Sequence, residues 1–124
     1  MILKDWLDKN YTVEEQSNLT YLDCSVKVIT SLEGIEQLDK LNYLDCSNNN
    51  LNSLEGIEGL VKLEELNCHS NNLTSLKEIE KLDKLKWLYC SNNPLPYSNL
   101  YKLYKIKLEV IKEVRQYKIH KLLI

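Results

Sequence analysis

The feature that most constrains this chain is self-similarity at a fixed spacing. Leucines recur at Leu19, Leu41, Leu63 and Leu85, and three residues on at Leu22, Leu44, Leu66 and Leu88, offset by 22 residues each time. Cysteines keep the same period at Cys24, Cys46, Cys68 and Cys90, and asparagines at Asn49, Asn71 and Asn93. Beyond each Asn the apolar positions continue at Leu51 and Leu73, Leu54 and Leu76, Ile57 and Ile79, and Leu60 and Leu82. A repeat in the range of roughly 20 to 50 residues marks a chain that stacks one small unit on the next, because a single unit cannot bury its own apolar face.

The spacing inside the unit says what that unit is. The second Leu and the Cys are two residues apart, so an extended strand points both to one face and the residue between them to the other. Apolar residues then recur every three or four positions, which makes short helical turns. Stacked units therefore give a parallel strand ladder on a concave side and helical turns on a convex side. Each Asn sits where the chain leaves its strand, where its amide can bond turn backbone groups that burial would leave unpaired.

The motif Leu41-Asn-Tyr-Leu44-Asp-Cys46-Ser-Asn-Asn49-Asn-Leu51 resembles the leucine-rich-repeat pattern L-x-x-L-x-(L/C)-x-x-N-x-L. The 22-residue unit with its L-x-x-I-x-x-L tail is similar to the subclass found in internalins and in a regulatory subunit of protein phosphatase 1. The resemblance covers about residues 19 to 97. It implies an α/β fold, a short right-handed solenoid with a parallel β-sheet on the concave side, short helical turns on the convex side and helical caps at both ends. It also implies a structural role for the Asn column and a recognition function. The end repeats depart from the pattern. Lys27 stands where the first should carry Asn, and the fourth breaks after Leu95 at Pro96-Tyr97-Ser98. Short cysteine-bearing repeat proteins of this kind are also similar to open reading frames of giant DNA viruses.

One domain is expected over residues 1–124: a cap at 1–18, about four repeats at 19–97 and a helical cap at 98–124. Ile2, Leu3, Trp6 and Leu7 form a small amphipathic helical pattern fit to lie on the first repeat. Leu103, Ile106, Val110, Val114 and Tyr117 recur at helical spacing after Ser98 or Asn99, either of which could cap a helix. No apolar run approaches the roughly 18 residues of a membrane helix. The start Met1-Ile2-Leu3-Lys4-Asp5 lacks the basic-then-apolar character of a signal peptide, so the cytoplasm is the expected location.

The net charge of -2 hides an asymmetry. Residues 101 to 124 carry seven basic side chains against Glu109 and Glu113, a net +5, which leaves -7 on the rest of the chain. An acidic body with a basic tail argues against nucleic acid as the partner. Nor does the chain carry a catalytic signature. It has no nucleophile elbow, glycine-rich phosphate loop or H-E-x-x-H motif, so neither an enzyme nor a cofactor is expected. Four cysteines invite a zinc hypothesis, but tetrahedral ligands must converge to about 2.3 Å from one ion, whereas one cysteine per rung spreads sulfurs along a line at about 4.8 Å spacing. The expected role of Cys24, Cys46, Cys68 and Cys90 is as small core side chains, with Asn49, Asn71 and Asn93 as the structural ladder beside them. No metal is expected. His69 follows Cys68 and so points away from it. Ser25, Ser47 and Ser91 form a column better suited to turn hydrogen bonds than to nucleophilic attack.

The informative side chains point out of the concave ladder: Tyr21 and Asp23, Tyr43 and Asp45, Glu65 and Asn67, Trp87 and Tyr89. Thr20, Asn42, Glu64 and Lys86 lie one step before. Stacking sets Tyr21 beside Tyr43 and Asp23 beside Asp45, giving aromatic side chains where a solenoid core needs none and where interfaces favour Tyr and Trp. These eight residues are the expected partner-binding set. The rungs span only about 15 Å, so the expected partner is a protein or peptide presenting a basic or extended segment, with the chain a monomer or weak homo-oligomer and no membrane contact. Two other functions stay open on sequence grounds: a regulatory subunit that targets or modulates an enzyme such as a phosphatase, and a self-assembling structural repeat protein.

Overall fold

Where each repeat passes its second leucine, three residues take up strand conformation. A computed structural model of the chain describes residues 1–96. The strands are β1 (Tyr21–Asp23), β2 (Tyr43–Asp45), β3 (Glu65–Asn67) and β4 (Trp87–Tyr89). They form one parallel sheet in the order β1-β2-β3-β4, each rung in register with the next, as in Leu22↔Leu44, Leu44↔Leu66 and Leu66↔Leu88. The central leucine of every strand is fully buried and its neighbours are not, which is the two-residue alternation that the repeat prescribes.

Behind the sheet, equivalent positions stack into columns: Leu22, Leu44, Leu66 and Leu88; Cys24, Cys46, Cys68 and Cys90; and Ile35, Ile57 and Ile79 are all 0 % exposed. A leucine taken from exposed to buried is worth roughly 1.5 to 3 kcal/mol, and the next rung supplies the surface that each repeat lacks. The convex side carries three short 3-10 turns at Ile35–Gln37, Ile57–Gly59 and Lys77–Ile79. Gly34 and Gly56 precede the first two with φ of 103° and 109°. A Cβ on Gly56 would meet Ile35 Cγ2 at 2.8 Å, so both conformation and space demand glycine there. The third repeat has Glu78 at this position and abandons the left-handed entry. Its 3-10 turn lies two residues earlier than the repeat would place it, and Glu78 becomes 5 % exposed.

A second left-handed column follows the strands at Val26, Asn48, Ser70 and Asn92, with φ between 53° and 57°. Asn reaches this region easily, whereas a β-branched valine held there costs of order 1 to 3 kcal/mol. The first repeat adds Val28 at φ 58°.

The N-terminal segment forms two helices where the apolar pattern suggests one: α1 (Leu3–Asn10) and α2 (Val13–Asn18). The division falls at Thr12, whose hydroxyl accepts from the Glu15 N–H at 3.1 Å while the Glu15 carboxylate accepts from the Thr12 N–H at 2.8 Å. This reciprocal cap restarts the chain as a new helix. Leu3 and Leu7 of α1 are fully buried. Ile2 lies outside the helix and bridges Ser31 in parallel fashion, the Leu3 N–H donating to the Ser31 carbonyl at 2.9 Å. Tyr97 and the expected C-terminal cap at 98–124 lie outside the described residues. No helix among the described residues is long and apolar enough to cross a membrane.

Candidate partner-binding face

The face is built on a backbone that the asparagines hold. Asn49 Oδ1 accepts from the N–H groups of Lys27 and Ile29 at 3.0 and 2.9 Å, while its amide donates to the carbonyls of Cys24, Cys46 and Ser47. Asn71 accepts from Leu51 N–H and donates to the carbonyls of Cys46, Cys68 and His69. Asn93 accepts from Leu73 N–H and donates to Cys68, Cys90 and Ser91. Every Asn thus serves its own rung and the one before it. This explains Lys27: no earlier strand precedes the first rung in the sheet, so its Asn position has no preceding rung's backbone to hold. The Lys27 ammonium instead lies 5.8 Å from the Trp6 ring centroid, joining the N-terminal helices to the stack by a cation–π contact.

All four cysteines are free and buried. Burial pushes the thiols of Cys24 and Cys90 up to about 12, and those of Cys46 and Cys68 are raised well above the usual thiol range, again chiefly by burial. They are poor nucleophiles, since only a thiolate attacks. No group of three or more His, Cys, Asp or Glu among the described residues could hold a metal ion. His69 is half-buried, with Nδ1 2.9 Å from Ser70 Oγ.

On the concave side, Tyr21, Tyr43, Glu65 and Trp87 align in one column and Asp23, Asp45, Asn67 and Tyr89 in the next. Tyr21 and Tyr43 stack with centroids 4.4 Å apart and rings 4° from parallel. Tyr21 remains 58 % exposed. The Tyr43 hydroxyl is held protonated above the usual phenol range, first by partial burial and then by the charges of Asp45 and Glu65 and by Tyr21. Glu65 interrupts the aromatic column between Tyr43 and Trp87.

The two aspartates also have a local task. Asp23 Oδ1 accepts from the Ser25 hydroxyl at 2.6 Å and N–H at 3.0 Å, and Asp45 does the same for Ser47. The bonds from Ser25 hold the Asp23 carboxyl below its ordinary value. Each carboxylate shapes the turn after its strand and still presents charge to the face. Among flanking residues, Lys86 pairs with Glu64 at 2.8 Å with both side chains well exposed, a contact that spacing alone did not suggest.

A parallel sheet with one short strand per 22-residue unit, convex 3-10 turns and an asparagine ladder defines a leucine-rich-repeat solenoid. The family pattern described as leucine rich repeats, two copies, matches residues 17–60, which supports repeats of the internalin class. The structure is similar to internalin InlF of Listeria monocytogenes, with TM-score 0.66 and 29 % identity, covering 82 % of this chain and 32 % of that one. For internalin C2 of the same bacterium the TM-score is 0.62 and the identity 27 %, over 71 % of this chain and 41 % of that one. The functional domain of InlJ from that bacterium, which includes a cysteine ladder, is 40 % identical over 66 % of this chain and 18 % of that one, with TM-score 0.62. The chain spans less than half of each of these proteins. No curated protein matches it.

Proposed function

We propose that the chain is a non-catalytic protein-binding module whose concave face takes an extended, basic segment of a partner. The fold class supports protein interaction in general. The particular support for this face is the Tyr21–Tyr43 stack, exposed at the edge of the sheet and bordered by Asp23, Asp45 and Glu65. The stack leaves the outer face of the Tyr21 ring open to the stem of a lysine or arginine, and the carboxylates meet its charge. The rungs span only about 15 Å, so an extended segment suits the face better than a globular surface does. Trp87 and Tyr89 on β4 close the far end. Four free thiols on adjacent rungs suit a reducing compartment, and we place the protein in the cytoplasm.

The test compares two surfaces. Proteins retained by the wild-type chain should be retained equally by a Glu36→Gln, Glu58→Gln, Glu80→Gln variant of the convex side. They should be lost, or weakened by about 2 kcal/mol or more, with Tyr43→Ala and Trp87→Ala. The reverse pattern refutes the concave assignment.

A further inference from the structure

A parallel strand offers alternate residues to its neighbour, and β1 has only one neighbour. Its bonds to β2 run through the Thr20 carbonyl, which accepts from Asn42 and Tyr43, and the Cys24 N–H, which donates to the Asp45 carbonyl at 2.8 Å. The N–H and C=O groups of Tyr21 and Asp23 therefore point away from the sheet. Among the described residues nothing bonds to them. The N-terminal segment, which could have covered this edge, pairs elsewhere. The Thr30 N–H donates to the Met1 carbonyl, Leu3 N–H to Ser31 and Lys4 N–H to Glu33. β1 is short and ends on Asp23, which deters a like-charged strand, but no proline or lysine in it would repel a basic one, so its open edge remains a template for a basic strand.

Two further observations converge on the same place. Of the six exposed large apolar side chains among the described residues, five (Met1, Val13, Tyr21, Val26 and Val28) lie in the first 28 residues. Apolar surface is thus concentrated at the end of the solenoid where the edge is open. Val26 and Val28 are exposed there in left-handed backbone that disfavours valine, although Asn48 and Asn92 occupy the Val26 position in later repeats.

We propose that the outer edge of β1 is a β-augmentation site, at which an extended basic segment of a partner protein adds as a fifth strand beside Tyr21 and Asp23. The inference deepens the function proposed above and rests on it, because the added strand would lay its side chains beside the concave columns. The occupant follows from charge. Residues 1–96 carry the net -7 of the body, since 97–100 are uncharged, and Asp23 sits at the C-terminal end of the edge strand. A second copy pairing edge to edge would set Asp23 and its acidic body against another of the same charge, whereas alternating lysines would lie against the outer face of Tyr21 and the aspartates.

The probe is a ten-residue peptide alternating lysine and threonine, titrated into the full chain. Two analogues carry N-methyl groups on the lysine amides or on the threonine amides. A docking strand turns only one of these sets toward β1, so one analogue should bind like the parent and the other at least tenfold more weakly. Amide exchange at Tyr21 and Asp23 should slow at least tenfold in the complex, and that at Tyr89 should not change. Both analogues binding like the parent, no change at Tyr21 and Asp23, or no binding of the parent overturns the edge site. Concentration-dependent protection of the same amides without peptide assigns the edge to a second copy and overturns the choice of occupant. Trp87→Ala separates the two proposals, because β4 is the far side of the sheet. Discrimination between the analogues with no effect of Trp87→Ala retains the edge and refutes the face, and the opposite result retains the face alone.

Discussion

Replacing Asn71 by alanine should remove one bonding centre from the middle of the stack, and the structure lets its cost be worked out. Asn71 Oδ1 accepts from the Leu51 N–H at 3.0 Å. Leu51 is fully buried, so its N–H loses its partner with no water to replace it, at about 1 to 3 kcal/mol. The carbonyls of Cys46 and Cys68 lose the Asn71 amide at 3.1 Å but keep those of Asn49 and Asn93 at 3.0 Å. Their loss is therefore an ordinary bond of about 0.5 to 1.5 kcal/mol at most. The sum is about 3 kcal/mol for Asn71→Ala. Asn49→Ala should cost more, about 4 kcal/mol by the same reckoning. It strands the buried Ile29 N–H, frees that of Lys27, and removes the amide from the Cys24 carbonyl, which no other asparagine contacts. Asn50→Ala and Asn72→Ala change exposed side chains and should stay within about 0.5 kcal/mol. Urea unfolding with reductant present, read as the midpoint at unchanged slope, gives the ranking. Equal midpoints for Asn71→Ala and Asn72→Ala would refute the ladder's energetic role, and Asn49→Ala costing less than Asn71→Ala would refute the donor accounting.

Val26→Asn should stabilise the chain by about 1 kcal/mol in the same assay, because it puts at φ 53° the residue that Asn48 and Asn92 provide and removes β-branched strain. A loss of stability would show that the valine is held by contacts worth more than its strain. Glu78 is buried with Oε1 unpartnered, and its carboxyl is raised above the usual value chiefly by burial. Since the folded form prefers the neutral acid, its contribution is full below the unfolded value and is lost as pH rises through the folded one. Glu78→Gln should therefore be more stable than wild type at neutral pH, with the gap closing as pH falls into the carboxylate range. A gap independent of pH would sink the argument. The cysteines should resist a thiol reagent in the native state and all react after denaturation, and Cys68→Ser should cost about 1 to 3 kcal/mol by burying a hydroxyl.

The rung was legible because its constraints are periodic. Leu22, Leu44, Leu66 and Leu88 fixed the register, and with it the pairs Tyr21↔Tyr43 and Asp23↔Asp45. Asparagine in an otherwise apolar unit announced bonding to backbone. What periodicity hid was local. The break between α1 and α2 was written in Thr12-Val13-Glu14-Glu15, a capping signature outranked by the apolar spacing of Ile2, Leu3, Trp6 and Leu7. The shifted third turn depends on one exchange, Glu78 for glycine, whose effect needs the left-handed φ of Gly34 and Gly56 to be known first. The serine bonds of Asp23 and Asp45 make those residues part of the turn as well as of the face, a double role that outward orientation alone does not disclose. The open edge of β1 needed the path of residues 1–4, which no repeat encodes.

The asparagine ladder also gives the stack a direction in time. Because each Asn reaches back, the N–H groups of Lys27 and Ile29 wait for Asn49, 22 and 20 residues later, and that of Leu51 waits another 20 for Asn71. A nascent chain emerging from the ribosome therefore always carries one unfinished rung at its growing end, completed only when the next repeat arrives. The same asymmetry governs shortening. Removing repeats from the front strips asparagines of groups to hold, whereas removing them from the back strips backbone of its asparagine, so losses from the C-terminal side should be the harder to survive.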